Sequence, residues 1–404
     1  MPSSTPSGTF GRRDLLASMG AAAAGGLLAA NLLAQENNPA AQVADRTSTI
    51  KITGLKTYPW RGRVFVKIET NHGIAGMSEL AALEPTAAVA LTKSLFQLLE
   101  GENPTRIEYL WQKLYRAHRD MRGGPFMVHT ISALDVALWD ITGKLWGVPV
   151  YRLLGGPCRD RIRMYPTPKA HKAPPHGIYE HSAIPPDIER MKGAVEAARK
   201  MVGADGTVMF DAHCAVPPAT LIQFAAAIQP YDVLFLEEVA VPGNIEVFKR
   251  LKEAIRIPLA TGERDRTIWE FIPYLTERAI DIVQPDVTHS GGISQMWKIA
   301  ALAEAFFVPL APHNTNTFLG LAASLHASAA VPLFLIHEGY PDITPKEWMR
   351  MPWELDADGY VALPPGPGLG VEIDEAAMEK ASQEPFDWKW PVYGRLKDGS
   401  IADY

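Results

Sequence analysis

Six ionisable residues stand at near-equal intervals through the second half of the chain: Asp211, Glu237, Glu263, Asp286, His313 and Glu338, with steps of 26, 26, 23, 27 and 25 residues. Each step is the length of one strand plus one helix. A closed barrel of alternating strands and helices would therefore bring all six side chains to one mouth. Taken singly, an acid after a strand is more often a helix cap. Five acids converging without partners would repel and raise one another's pKa, so the set asks for a cation. Asp211, Glu237 and Glu263 lie on successive strands and are the expected ligands; their hard oxygens suit Mg²⁺, and Mn²⁺ also fits. Asp286 comes one strand before His313 and is expected to hold one imidazole nitrogen, which makes His313 the candidate general base. His213 follows Asp211 by two residues. Strand alternation predicts that it faces the same cavity as a second acid–base group.

The elements that must position these groups are legible in outline. Residues 50–58 and 63–70 read as a hairpin joined through Tyr58–Gly62, with a third strand ending near Glu79. Helices are expected over 85–100, 104–119 and 125–146, the last carrying Ile131, Leu134, Ala137, Leu138 and Ile141 at helical spacing. Three strands followed by three helices make an α+β domain. After Gly155-Gly156-Pro157, short apolar strands alternate with helices: 162–166, 207–211, 233–237, 257–261, 280–284, 307–311 and 333–337. Such evenly spaced, continuously apolar strands favour a parallel (β/α) barrel of the TIM type.

The chain has 404 residues, 39 basic and 45 acidic, giving a net charge of −6 with no long runs of either sign. That balance excludes the electrostatic footprint of a nucleic-acid-binding protein. Two cysteines, Cys158 and Cys214, are too few for a disulfide framework. The first 47 residues read as an address rather than as fold. Arg12-Arg13 precede an Ala/Gly/Leu-rich run from Ala17 to Ala34, similar to a twin-arginine export signal. The expectation is a periplasmic protein without a membrane span in its mature form.

The segments around the six residues carry a family resemblance: MFDAH (209–213), LEEV (236–239), ATGER (260–264), QPDVTHSGGI (284–293), APHN (311–314) and HEG (337–339). With SALDVALWDITGKLWGVPVYRLLGG (132–156), they resemble the mandelate racemase / muconate lactonizing branch of the enolase superfamily over roughly residues 50–404. The resemblance implies a modified TIM-type (β/α) barrel over 156–345, an N-terminal α+β capping domain over 48–155, and a C-terminal segment, 346–404, returning to the cap. Within the branch, Asp-x-His on the third strand, the Asp286/His313 pair and the tail LKDGSIADY are most similar to acid-sugar dehydratases of the galactonate and mannonate type. The implied mechanism is proton abstraction next to a carboxylate, with a divalent ion stabilising the enediolate.

The expected function is dehydration of a sugar acid to a 2-keto-3-deoxy acid. A racemase or epimerase of a 2-hydroxy acid is the alternative within enzymes, and a non-catalytic exported sugar-acid-binding protein the alternative outside them. The expected partner is a small carboxylate, and the chain is expected to be a homo-oligomer. One departure from the family stands out: many relatives place Lys-x-Lys on the second strand, where this chain has PTPKAHKAPPHGIYEHSAIPP (166–186). No second strand is evident there. Lys169, His171, Lys172, His176, Tyr179 and His181 either line the mouth or belong to a solvated linker. Arg61 and Arg63 could reach over the barrel toward a polar substrate, Arg264 and Arg266 could pair with nearby acids, and Asn314 and Asn316 could meet hydroxyls. Cys214 reads as a small buried residue, and Trp269, Trp297 and Trp388 as packing.

Overall fold

The computed structural model describes residues 49–117, 119–165, 176–179, 187–339, 343–350, 355–389 and 398–401. The leader read from residues 1–47 lies outside them. All the elements named here fall within Lys51–Tyr404, one of two compact units into which the chain divides. Among the described residues, no helix is long and apolar enough to cross a membrane.

Strand β1 (Ile52–Trp60) pairs antiparallel with β2 (Arg63–Thr70), and the pairing runs to Trp60↔Arg63. The expected five-residue link is thus a two-residue turn. Arg61 and Gly62 both take positive φ, 42° and 80°, which matches the twist of the flanking strands. Strand β3 (Ala75–Leu80) completes the sheet beside β2. Three helices follow, α1 (Pro85–Phe96), α2 (Ile107–Ala117) and α3 (Pro125–Trp146). Helix α3 is buried along most of its length and lies against β3 so closely that a Cβ on Gly76 would stand 2.0 Å from the Ala137 carbonyl oxygen. Asp140 of α3 accepts from the backbone nitrogens of Met77 and Leu369, each at 2.9 Å, and pairs with Lys144 at 2.6 Å. One buried carboxylate so ties the sheet, the helix and the C-terminal segment together.

A short helix, α4 (Val150–Leu153), leads into the barrel. Its strands are β4 (Arg161–Tyr165), β5 (His176–Tyr179), β6 (Val208–Asp211), β7 (Val233–Glu237), β8 (Leu259–Thr261) and β9 (Ile282–Val283). Between β5 and β9 they pair in parallel and in order, with α5 (Ile188–Val202), α6 (Pro218–Ile228), α7 (Ile245–Ala254) and α8 (Thr267–Thr276) as crossovers. After α9 (Gly292–Ala305), single bridges carry the order from Val283 to Leu310 and on to Phe334. Helix α10 (Phe318–Ala330) precedes that last bridge, and β10 (His337–Glu338) then pairs with β4. Strand β5 corrects the sequence reading, which saw no second strand; Pro-rich flanks and a four-residue length hide it. A layer of Tyr165, Met209, Phe235, Ala260, Ile282, Ala311 and Ile336 fills the interior, one residue from each of seven strand positions. The fold is a modified (β/α) barrel with an N-terminal α+β capping domain.

Two outcomes follow from this packing. Gly76→Ala must push a methyl into the Ala137 carbonyl, and overpacking of this kind costs roughly 1–3 kcal/mol or more; denaturant unfolding should show a loss in that range. His326 of α10 is buried, accepts from the Tyr151 nitrogen at 3.3 Å, and is pushed by burial down to about 4. The unfolded chain binds a proton near pH 6.5 that the folded chain refuses, so stability falls as pH drops from about 6.5 toward 4. At pH 5 this group alone contributes a loss of about 2 kcal/mol. In His326→Gln the gap in melting temperature between pH 7 and pH 5 should shrink.

Candidate active site

Side chains two residues apart on a strand share a face, and the ring of ionisable groups sits above the inner layer by that rule. Met209 underlies Asp211, Phe235 underlies Glu237, Ala311 underlies His313 and Ile336 underlies Glu338. Glu263 arrives by another route. Gly262 has φ 144°, and a Cβ there would meet Phe271 at 2.8 Å and the Gln284 nitrogen at 2.9 Å, so only glycine lets the chain turn inward this tightly. Oxygens of Asp211, Glu237 and Glu263 all lie within 4.8 Å of one another. Glu237 is buried, and burial together with the charges of Asp211, Glu338 and Glu263 pushes its carboxyl well above the usual range. Three convergent hard oxygens with one carboxylate held back by repulsion fit a divalent cation.

Beside this cluster stands the expected imidazole. His313 Nδ1 lies 2.8 Å from Asp286 Oδ2. Asp286 also accepts from the Thr288 nitrogen and hydroxyl, each at 2.7 Å, and from Asn316 Nδ2 at 3.1 Å on both oxygens. Burial pushes Asp286 up, but His289, His313 and these donors outweigh it and hold the carboxyl below its ordinary range. A carboxylate so fixed accepts a hydrogen bond from Nδ1–H and leaves Nε2 for chemistry. That Nε2 faces Glu263 Oε2 at 3.6 Å and Glu338 Oε2 at 3.8 Å. Burial disfavours the imidazolium, yet Glu263, Glu338 and Asp286 together raise His313 well above the usual value. Glu338 is itself pushed up by burial and takes the backbone N–H of Asn314 at 2.8 Å.

His213 is in the site, although not by the alternation expected of it. Strand β6 ends at Asp211, and His213 and Cys214 turn out of it with φ of 43° and 55°. The His213 backbone nitrogen donates to Asp211 Oδ1 at 2.8 Å and its Nε2 lies 2.7 Å from Oδ2, so the ring folds back onto the carboxylate. Cys214 is pushed up by burial, with its sulfur 3.2 Å from the Ala240 carbonyl oxygen, and so is no nucleophile. The next acid along, Glu238, was not singled out in the sequence. Burial and the charges of Glu263 and Asp211 raise it to about 8, and Arg264 grips it with Nε at 2.7 Å and Nη2 at 2.8 Å. That grip makes the three-carboxylate set, rather than Asp211, His213 and Glu238, the better cation cradle.

The remaining candidates divide. Arg63 pairs with Glu79 at 2.9 Å and donates to the Thr315 carbonyl at 2.6 Å, so it latches cap to barrel. Arg61 lies over Trp60, Arg266 faces Glu270 at 3.7 Å, and Trp269 stacks on Tyr115 at 5.1 Å. Asn316 orients Asp286. Lys169, His171, Lys172 and His181 lie outside the described residues, and of His176 and Tyr179 only the backbone, in β5, is described. His289 was missed: it stands inside the quoted QPDVTHSGGI, with its ring 6.1 Å from that of His313. Its spacing of three from Asp286, off the strand-length rhythm, offered no signal.

A capped barrel with such a ring at the C-terminal ends of its strands is the architecture of an enzyme. The chain belongs to the mandelate racemase / muconate lactonizing enzyme family of the enolase superfamily: residues 41–155 match that family's N-terminal domain and residues 161–377 the Enolase C-terminal domain-like family. It is 37% identical to a D-galactonate dehydratase of Xanthomonas axonopodis pv. citri over 387 residues, covering 88% of this chain and 100% of the relative. It is 35% identical to a D-galactonate dehydratase family member of Streptomyces bingchenggensis, covering 89% and 99%. Among solved structures it is similar to an enolase from Agrobacterium radiobacter with Na and L-malate bound, at 34% identity and TM-score 0.77 over 87% of this chain and 99% of that one. The 3,6-anhydro-D-galactonate cycloisomerase of Zobellia galactanivorans is similar at 28% identity and TM-score 0.75 over 82% and 99%. By this kinship the chain is a hydro-lyase.

Glu237→Gln removes the carboxyl whose charged form burial and repulsion disfavour, so the cation-free variant should gain in melting temperature over the parent as pH rises and forces that charge on the parent. Adding a divalent salt should raise the parent's melting temperature with concentration and raise the variant's much less.

Proposed function

We propose that the protein dehydrates an aldonate, a sugar acid, by removing the proton α to the carboxylate and releasing a 2-keto-3-deoxy acid. Its kinship with D-galactonate dehydratases supports the substrate class. The observation that carries the reading is the placement of His313 Nε2 at 3.6 Å from Glu263, on the edge of the carboxylate cluster, with Nδ1 tied to Asp286 at 2.8 Å. Asp211, Glu237 and Glu263 would hold Mg²⁺, with Mn²⁺ as the substitute. A divalent ion there supplies positive charge where the substrate carboxylate gains electron density.

The protein's own residues do the proton work. His313 Nε2 takes the proton from carbon 2 as Asp286 stabilises the imidazolium that forms. His213 gives a proton to the hydroxyl on carbon 3, the C–O bond breaks, water leaves, and the resulting enol tautomerises to the 2-keto acid. Glu338 stands 3.8 Å from the base, on the same edge of the carboxylate cluster. A racemase would need a second base on the opposite face. His213, folded onto Asp211 at 2.7 Å, is better placed to hand over a proton than to remove one from carbon.

The two histidines should separate in isotope experiments with D-galactonate, Mg²⁺ and deuterated solvent. His313→Asn should stop both elimination and exchange at carbon 2. His213→Asn should keep exchange while elimination falls by roughly 10²–10⁴-fold, the usual contribution of a positioned general acid. Equal loss of both processes in the position-213 variant would make His213 a base and shift the reading to racemisation.

A further inference from the structure

His289 stands at the mouth beside the Asp286/His313 pair and outside the three-carboxylate cluster. From Ile282 to Ser290 it is the one residue not fully buried, with 13% of its side chain open. Its Nδ1 lies 3.0 Å from the Glu263 carbonyl oxygen. That oxygen only accepts, so Nδ1 carries the hydrogen and Nε2 is the end left to meet a ligand. The ring stands beside the base, 6.1 Å from His313 between centroids and 4.0 Å from Asp286 Oδ2. On its other side lies His129 of α3, contributed by the cap. The two rings are 4.3 Å apart and within 11° of parallel. His129 Nδ1 faces the Ala81 carbonyl oxygen at 3.4 Å, and burial, followed by the charges of His289 and Arg266, keeps that ring neutral. The stack therefore does not set two cations face to face.

We propose that His289 binds one hydroxyl of the substrate's polyol chain through Nε2, and that His129 is a positioning residue that holds the His289 ring in place by stacking. The assignment rests on the aldonate reading and adds a specificity determinant to it. An imidazole fixed at one nitrogen and clamped on one face presents its remaining nitrogen in a single direction, which suits recognition of one hydroxyl among several.

The test compares the full-length Mg²⁺-loaded enzyme with His289→Phe, His129→Phe and His129→Ala, on D-galactonate and on its 4-, 5- and 6-deoxy analogues. His289→Phe should raise KM for D-galactonate roughly 10–100-fold, a larger change than in kcat, the loss of one hydrogen bond in binding. It should also erase the penalty that the parent shows for one particular deoxy acid. His129→Phe should match the parent because the stack survives, and His129→Ala should move KM in the same direction as His289→Phe. An unchanged KM in His289→Phe, a uniform loss across all the deoxy acids, or a His129→Phe variant as impaired as His129→Ala would overturn the assignment while leaving the dehydratase reading intact. A parent enzyme that neither binds nor turns over any of these acids would overturn both.

Discussion

The mutual repulsion of carboxylates drawn together at the barrel mouth is the constraint on which the rest of the site depends. Asp211, Glu237 and Glu263 converge within 4.8 Å, and Glu338 adds a fourth acid that bears on Glu237. Left to relax, such groups would separate or take up protons. The barrel forbids separation because each acid is the second residue above a packed interior side chain, or, for Glu263, the residue after a glycine wedged against Gln284. Strand pairing and the inner layer thus supply the free energy that holds like charges in place. The cost of assembling the site is met by the scaffold, and the site is left with a standing demand for positive charge.

The cap is joined to that scaffold at the loops that carry the chemistry. Glu79 at the end of β3 accepts from the Thr317 hydroxyl and the Gly320 nitrogen, each at 2.8 Å, and pairs with Arg63, which reaches the Thr315 carbonyl. These contacts grip the chain just after His313, on either side of Asn316, the residue that orients Asp286. Along α3, Ser132 accepts from the Gly291 nitrogen at 2.8 Å, Asp135 takes the Ser294 hydroxyl at 2.5 Å, and from α2 the Trp111 indole donates to the Gly291 carbonyl at 2.9 Å. Those bonds fix the turn immediately after His289. The cap therefore holds the two loops that follow His289 and His313.

The barrel and its ring were readable because one ionisable residue recurs per strand–helix unit, and that rhythm survives without knowledge of any side-chain contact. What escaped reading is what departs from the rhythm. His213 turns off its strand through two residues of left-handed conformation that nothing in DAHC announces. Strand β5 is short and lies between Pro-rich flanks, so composition argued for a loop where pairing with β6 makes a strand. His289 and Glu238 matter through tertiary neighbours, an imidazole stack and a guanidinium grip. The links at 307–311 and 333–337 read as strands but pair largely through single bridges at Leu310 and Phe334, because apolar pattern reports burial better than it reports ladder length.

The two arms of the site differ in what each histidine is tied to, and that difference bears on the direction in which protons move. His313 is anchored by Asp286, a fully buried carboxylate that accepts several further hydrogen bonds and has no role in the cation cluster. Its negative charge remains available to stabilise an imidazolium, which is what a base needs after it has taken a proton. His213 is anchored by Asp211, which in the proposed reaction shares its charge with a divalent ion. An imidazolium there would receive less support, which favours release of its proton. A geometric pseudo-symmetry, one carboxylate for each histidine, would thus yield an electrostatic asymmetry in the proposed reaction, in which the acid is the histidine whose carboxylate would also be a ligand.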